Sequence, residues 1–142
     1  MIRLRLEDVN QITRNAETEY PDECCGLILG KLEADHSKTV GFILPVSNAR
    51  ENKDKHNRFL ITSEDFMRGE MFARKKQLDV LGFYHSHPDH PAVPSDYDRE
   101  HAWPIYSYLI ISVAHGKADS ITSWELDASR LKFNPETILR GD

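Results

Sequence analysis

Ile2, Leu4 and Leu6 alternate with Arg3 and Arg5 at the start of this chain, the period-two pattern of a half-buried strand. From Glu7 to Tyr20 the spacing becomes helical, with Val9, Ile12, Ala16 and Tyr20 on one face, until Pro21 ends it. Cys25 to Leu32 is a compact apolar run bounded by glycine and charge, the pattern of a central strand. Across the polar turn Glu33 to Lys38, Val40 to Val46 forms a second run, and together the two predict an antiparallel hairpin. Residues 47–58 are polar and carry both charge signs, which predicts a mobile surface loop. Phe59 to Thr62 reads as a short strand. Ser63 is placed to cap a helix running to about Gln77, with Glu64 and Asp65 beside its positive end.

Val80 to Ser86 predicts a strand that leaves the core at His87-Pro88, and Pro88, Pro91 and Pro94 restrict the loop that follows. Ser95, with Asp96 and Asp98, looks like a helix start. Tyr106 to Ala114, Ser120 to Leu126 and Leu131 to Phe133 complete the chain as strands. Strand pairs interleaved with two or three helices, and no linker between them, predict one domain over residues 1–142. Its fold class is α+β, a mixed α/β sandwich in which a single mixed, mostly antiparallel sheet is flanked by helices.

Composition narrows the function classes. A chain of 142 residues with 39% hydrophobic and 29% charged positions has the balance of a globular protein. No apolar run approaches the roughly 20 residues a membrane helix needs. The first residues show no export signal, so the expected location is the cytoplasm. Net charge is −5 and the basic residues are scattered, which argues against a nucleic-acid partner. Cys24 and Cys25, the only cysteines, are adjacent, do not form a C-x-x-C metal arrangement, and read as small apolar side chains opening a buried strand. A nucleophilic cysteine would need a base to lower its pKa, and no neighbour in the sequence supplies one.

The chemistry concentrates between His85 and Asp98. Alternate residues of a strand share a face, so His85 and His87 point the same way, with backbones roughly 6.5 to 7 Å apart, while Ser86 points opposite. Two imidazoles so placed can converge on one cation, and the proline-stiffened loop can return Asp98 as a third ligand. Two neutral imidazoles and one carboxylate suit zinc, leaving a fourth position for water. Asp98 also reads as the first-turn acid of a helix capped by Ser95, and the two roles are compatible. A zinc deaminase would show H-x-E followed by P-C-x-x-C. This chain has neither.

The pattern His-Ser-His, seven residues, Ser, two residues, Asp is met by His85, Ser86, His87, Ser95 and Asp98. It resembles the JAMM, or MPN-plus, metalloprotease family (Mov34/MPN/PAD). Glu23-Cys24-Cys25-Gly26-Leu27-Ile28-Leu29-Gly30, preceded by Tyr20-Pro21-Asp22, is similar to the upstream segment of its compact bacterial and archaeal members. The resemblance implies a cytidine-deaminase-like fold and a single zinc ion on His85, His87 and Asp98, with water as fourth ligand. It also implies that Glu23 is the general acid/base and that Ser95 donates to the oxyanion. Spacing alone leaves Glu17, Glu19 and Asp22 equal candidates with Glu23. Ser86 is expected to secure its strand, and His90 and His101 to be surface histidines.

The implied activity is hydrolysis of the peptide or isopeptide bond after the C-terminal glycine of a ubiquitin-like or sulfur-carrier β-grasp protein with a diglycine tail. Small bacterial members release such a tail from an attached peptide or from an amino acid such as cysteine. The rival expectation is a non-catalytic MPN-type scaffold or peptide-binding module, although such relatives have usually lost metal ligands. Neither the carrier nor an oligomeric state is legible.

Overall fold

The structure is a computed structural model, describing residues 1–50, 55 and 59–141. Among these, eight strands form one sheet: β1 (Ile2–Arg5), β2 (Cys25–Leu32), β3 (Lys38–Val46), β4 (Asp79–Pro88), β5 (Ser107–Ala114), β6 (Lys117–Leu126), β7 (Phe133–Glu136) and β8 (Ile138–Gly141). Its order is β7-β6-β5-β4-β2-β3-β1-β8. Pairings β2–β3, β2–β4, β5–β6 and β6–β7 are antiparallel, whereas β1–β3, β1–β8 and β4–β5 are parallel. The mixed, mostly antiparallel sheet is therefore as expected. Its helices are α1 (Leu6–Glu19), α2 (Ser63–Lys75) and α3 (Asp96–Glu100). No helix among the described residues is long and apolar enough to cross a membrane.

The apolar run of β2 is explained by burial on both faces. Ile28 joins Ile12 and Ala16 of α1, with Ile43, Tyr84, Leu109 and Ile111, in one core. Leu27 and Leu29 join Ala73, Phe66 and Phe72 of α2 in the other. Tyr84 crosses β2 at Gly26, where a Cβ would lie 2.3 Å from its ring, and its hydroxyl donates to Asn15 Oδ1 of α1 at 2.7 Å. A side chain at Gly26 would push α1 from the sheet.

Leu6 is exposed and opens α1 instead of continuing the first strand, His87 and Pro88 stay buried within β4 instead of leaving the core, and three further expectations need correction. Phe59 to Thr62 is not a strand: Leu60 bonds to Asn48 Oδ1 through its N–H and to the Ala49 N–H through its carbonyl, and Phe59 packs on His85. Its apolar residues line a groove instead of joining the sheet. The α2 cap is Thr62, whose hydroxyl accepts from Asp65 N at 3.1 Å, one residue before Ser63. The strand expected at Leu131 to Phe133 lies at Phe133–Glu136. β8 was not anticipated. Pro135 interrupts the apolar pattern of β7, and is tolerated because β7 pairs only with β6, through Trp124. The mobility expected of residues 47–58 falls largely outside the described residues.

β7 and β8 lie at opposite edges of the sheet, yet only Thr137 separates them in the chain. Ile2 N donates to Thr137 O at 2.9 Å. The sheet curls until its edges meet at this seam.

Candidate metal centre

The register of β2 on β4 assembles the site. Cys25 pairs with His85 in an antiparallel ladder. Continuing that ladder, Cys24 and Ser86 exchange bonds: Ser86 N donates to Cys24 O at 3.2 Å, and Cys24 N donates to Ser86 Oγ at 2.8 Å. Glu23 therefore emerges beside His87, on the α2 face. Ser86 points to the other face and is fully buried, securing the strand as expected.

His85 and His87 are buried, and their Nε2 atoms lie 3.2 Å apart. Asp98 Oδ2 stands 3.1 Å from His87 Nε2 and 3.3 Å from His85 Nε2. A tetrahedral ion with bonds of about 2.0–2.1 Å spaces its ligands about 3.3 Å apart, so the triangle fits zinc. The hydrogen-bonding pattern agrees. His87 Nδ1 faces the Pro91 carbonyl at 2.8 Å, which assigns the proton to Nδ1 and leaves a lone pair on Nε2 in the neutral ring. That lone pair faces the Asp98 carboxylate oxygen and stands 3.2 Å from His85 Nε2, an arrangement a cation relieves. Among the described residues this is the group placed to hold a metal.

Asp98 is fixed by its helix start. Ser95 Oγ accepts from Asp98 N at 3.0 Å, and Asp98 Oδ2 accepts from Ser95 N at 2.9 Å. This reciprocal box leaves the Ser95 hydroxyl hydrogen free of the cap. Burial works against the Asp98 charge, but His85, His87 and the Ser95 N–H outweigh it and hold the carboxyl far below the usual range. Burial likewise opposes the His87 charge, and hydrogen bonds to Asp98 and Pro91 raise its pKa nonetheless.

Glu23 is 5% exposed. Its N–H donates to Lys55 O at 2.5 Å, and its carbonyl accepts from Asn48 Nδ2 at 3.1 Å. Carboxyl Oε1 is buried without a partner. Burial pushes the carboxyl up to about 7, against the pull of His85 and His87, with Asp98 adding to the rise. Such a group exchanges protons near neutrality. Cys24 and Cys25 are buried thiols, Cys24 pushed up to about 12 by desolvation and Cys25 higher still. Neither is a thiolate near neutrality.

Beside the centre runs a groove of about 610 Å³, walled by Phe59, Phe66, Phe83, Tyr97, Trp103 and Tyr106, with His85 and Asp98 at one end. Phe59 stacks on His85, ring centroids 4.5 Å apart. His90 is exposed, and His101 is exposed while stacking on Tyr97 at 4.1 Å. Sequence reasoning missed Phe59, read as a strand residue, and Asn48, hidden in a polar stretch. Pro91 acts through a backbone carbonyl, for which no sequence signal exists.

Residues 7–127 match the family described as prokaryotic homologs of the JAB domain. The chain belongs to that family. Among prokaryotic JAB-domain relatives, desampylase of Haloferax volcanii is 38% identical over 98 residues, covering 68% of this chain and 67% of that protein. Tail tip assembly protein K of Escherichia phage N15 is 28% identical over 96 residues, covering 68% of this chain and 34% of its own length. A solution structure from Salinibacter ruber aligns over 100% of this chain and 92% of its own, with TM-score 0.77 and 35% identity. The protein DSY2949 from Desulfitobacterium hafniense aligns over 100% and 94%, with TM-score 0.87 and 28% identity. A JAB1/MPN domain protein from Archaeoglobus fulgidus, 16% identical, shares the fold over 100% and 98% at TM-score 0.58.

Proposed function

We propose that this protein is a zinc metallopeptidase. It hydrolyses the peptide or isopeptide bond after the C-terminal glycine of a ubiquitin-like or sulfur-carrier protein. The observation that carries this reading is the triangle of ligand atoms at 3.1–3.3 Å beside a buried carboxyl with an unpartnered oxygen. The relationship to desampylase supports a ubiquitin-like substrate.

His85, His87 and Asp98 would hold the ion. When bound, zinc supplies a Lewis acid that polarises the scissile carbonyl and eases deprotonation of water. Glu23 takes the proton from the attacking water and returns one to the leaving nitrogen. A carboxyl poised near 7 serves both transfers. Ser95 donates its free hydroxyl hydrogen to the oxygen on which charge develops. The apolar groove receives the extended tail ahead of the bond, its walls excluding water from the acyl side.

The test is incubation of the zinc-loaded protein with carrier–cysteine and carrier–peptide adducts, read by mass spectrometry. Release of the carrier with a free glycine terminus, abolished by a chelator, is the expected result. No cleavage of any adduct by protein shown to contain zinc removes this substrate class.

A further inference from the structure

The centre has two approaches with opposite character. The groove touching His85 and Asp98 is lined, apart from these and the imidazole of His101, by aromatic, aliphatic and hydroxyl side chains, with neither lysine nor arginine among them. Between that groove and Glu23 stands a cation, Arg50, whose backbone is tied to Glu23 and whose guanidinium covers the groove wall at Tyr97. The carboxamide of Asn48 ties them together: Nδ2 donates to the Glu23 carbonyl at 3.1 Å, while Oδ1 accepts from Arg50 N at 3.0 Å. The Arg50 guanidinium lies over the ring of Tyr97, 5.2 Å from its centroid, next in the chain to Asp98. Arg50 Nε is buried and has no hydrogen-bond partner. Arg5, another partly buried arginine, binds Asp8 with two nitrogens. Among the described residues, Arg50 has no such carboxylate.

Hydrolysis assigns the two approaches to the two halves of the substrate. The C–N bond breaks, the acyl carbon gains hydroxide, and the nitrogen gains a proton. The group that delivers that proton must lie beside the leaving amine, so the amine half departs on the Glu23 side. Resting on the function proposed above, we infer that Arg50 binds the free carboxylate of the leaving group, so that the bond preferred is one that releases an amino acid. Stacking on Tyr97 uses the face of the guanidinium and leaves its N–H edge for a planar, two-point contact with a carboxylate. The leaving amine of a lysine isopeptide carries its carboxylate, or the chain continuing from it, several bonds further away and would miss this contact.

The experiment compares two peptides ending in Gly-Gly-Ala, one a free acid and the other a primary amide, on the zinc-loaded enzyme. The acid is expected to have the larger kcat/KM by at least tenfold. Arg50→Gln should bring the ratio near one, and Arg50→Lys should leave an intermediate ratio, because it keeps the charge and loses the fork. A second readout is independent of turnover: titration of the wild-type protein with free alanine should shift the Arg50 Nε–H resonance, and alaninamide should not. Equal rates for acid and amide in the wild type overturn the role of Arg50 while leaving the peptidase reading intact. So does a ratio unchanged in Arg50→Gln. Cleavage of neither peptide or of any carrier adduct brings down both.

Discussion

Two of the places where this molecule buries charge treat it differently. At the seam where the sheet closes, the Lys38 side chain is 6% exposed. Its ammonium donates to Ser107 Oγ at 2.6 Å, Glu125 Oε2 at 3.1 Å and the Ile105 carbonyl at 3.3 Å. Glu136 takes the hydroxyls of Ser107 and Ser123 on Oε1, each at 2.7 Å, and the Met1 amino group on Oε2 at 3.3 Å. Both buried ions are fully partnered. At the end of β4, by contrast, Glu23 Oε1 and His85 Nδ1 are buried without partners, and three ligand atoms crowd within 3.3 Å. A buried polar group without a partner costs about 1–3 kcal/mol. The fold bears that cost at one site and avoids it at the other, which separates a cluster built for stability from one built for chemistry.

Glu23→Gln tests this separation most sharply. Loss of the proposed acid/base should lower kcat by about 10²- to 10⁴-fold, with zinc content unchanged. Stability should move the other way in zinc-free protein. The folded carboxyl resists ionisation up to about 7, whereas its ordinary value is 4.5, so the unfolded chain ionises first as pH rises. Its contribution is full below pH 4.5 and is lost as pH rises through 7, amounting to about 3 kcal/mol if the whole difference counts. Denaturant titrations should find Glu23→Gln more stable than wild type at pH 8 and nearly equal at pH 4.5. Equal stability at both values would place Glu23 among partnered groups after all.

The seam should respond in reverse. Lys38 Nζ also stands 3.8 Å from Glu136 Oε2, so Lys38→Met leaves that carboxylate buried with one cation fewer, and removing one partner of a buried pair costs about 3–5 kcal/mol. Thermal melts should show the loss, while kcat per folded molecule stays at the wild-type value. Between these lies Ser95→Ala. It removes a helix cap worth about 1 kcal/mol and the proposed oxyanion donor, worth about 10²- to 10³-fold in rate, so both readouts should fall together.

The same contrast governs what was legible in the sequence. His85 and His87 were readable because a strand period of two puts them on one face, and Asp98 because Ser95 marks a helix start three residues earlier. Glu23 was not separable from Glu17, Glu19 and Asp22 by pattern, since its role depends on the pairing of Cys25 with His85, a contact across 60 residues. The seam was invisible for a similar reason. Lys38 reads as the end of a polar turn and Glu136 lies beyond the last strand expected, Leu131 to Phe133, and only the closure of β7 and β8 around Thr137 buries them. Local periodicity reports faces, while long-range register reports which faces meet. Phe59 shows the remaining gap, because an aromatic in a short apolar run looks the same whether it enters a ladder or stacks on an imidazole.

Ser86→Ala carries the smallest predicted effect and joins the two themes. Ser86 is fully buried and touches no ligand atom, yet its hydroxyl accepts the Cys24 N–H, one residue from Glu23. Deleting it leaves a buried backbone donor unpaired, at about 1–3 kcal/mol, which a melt would register. A purely structural role would stop there. If the bond also sets the height of Glu23 over the ligand triangle, kcat should fall several-fold while KM and zinc affinity hold, and Ser86→Thr, which keeps the hydroxyl, should restore it. Loss of stability with kcat intact would make Ser86 a strand fastener alone, and would place the boundary between stability and chemistry between Cys24 and Glu23.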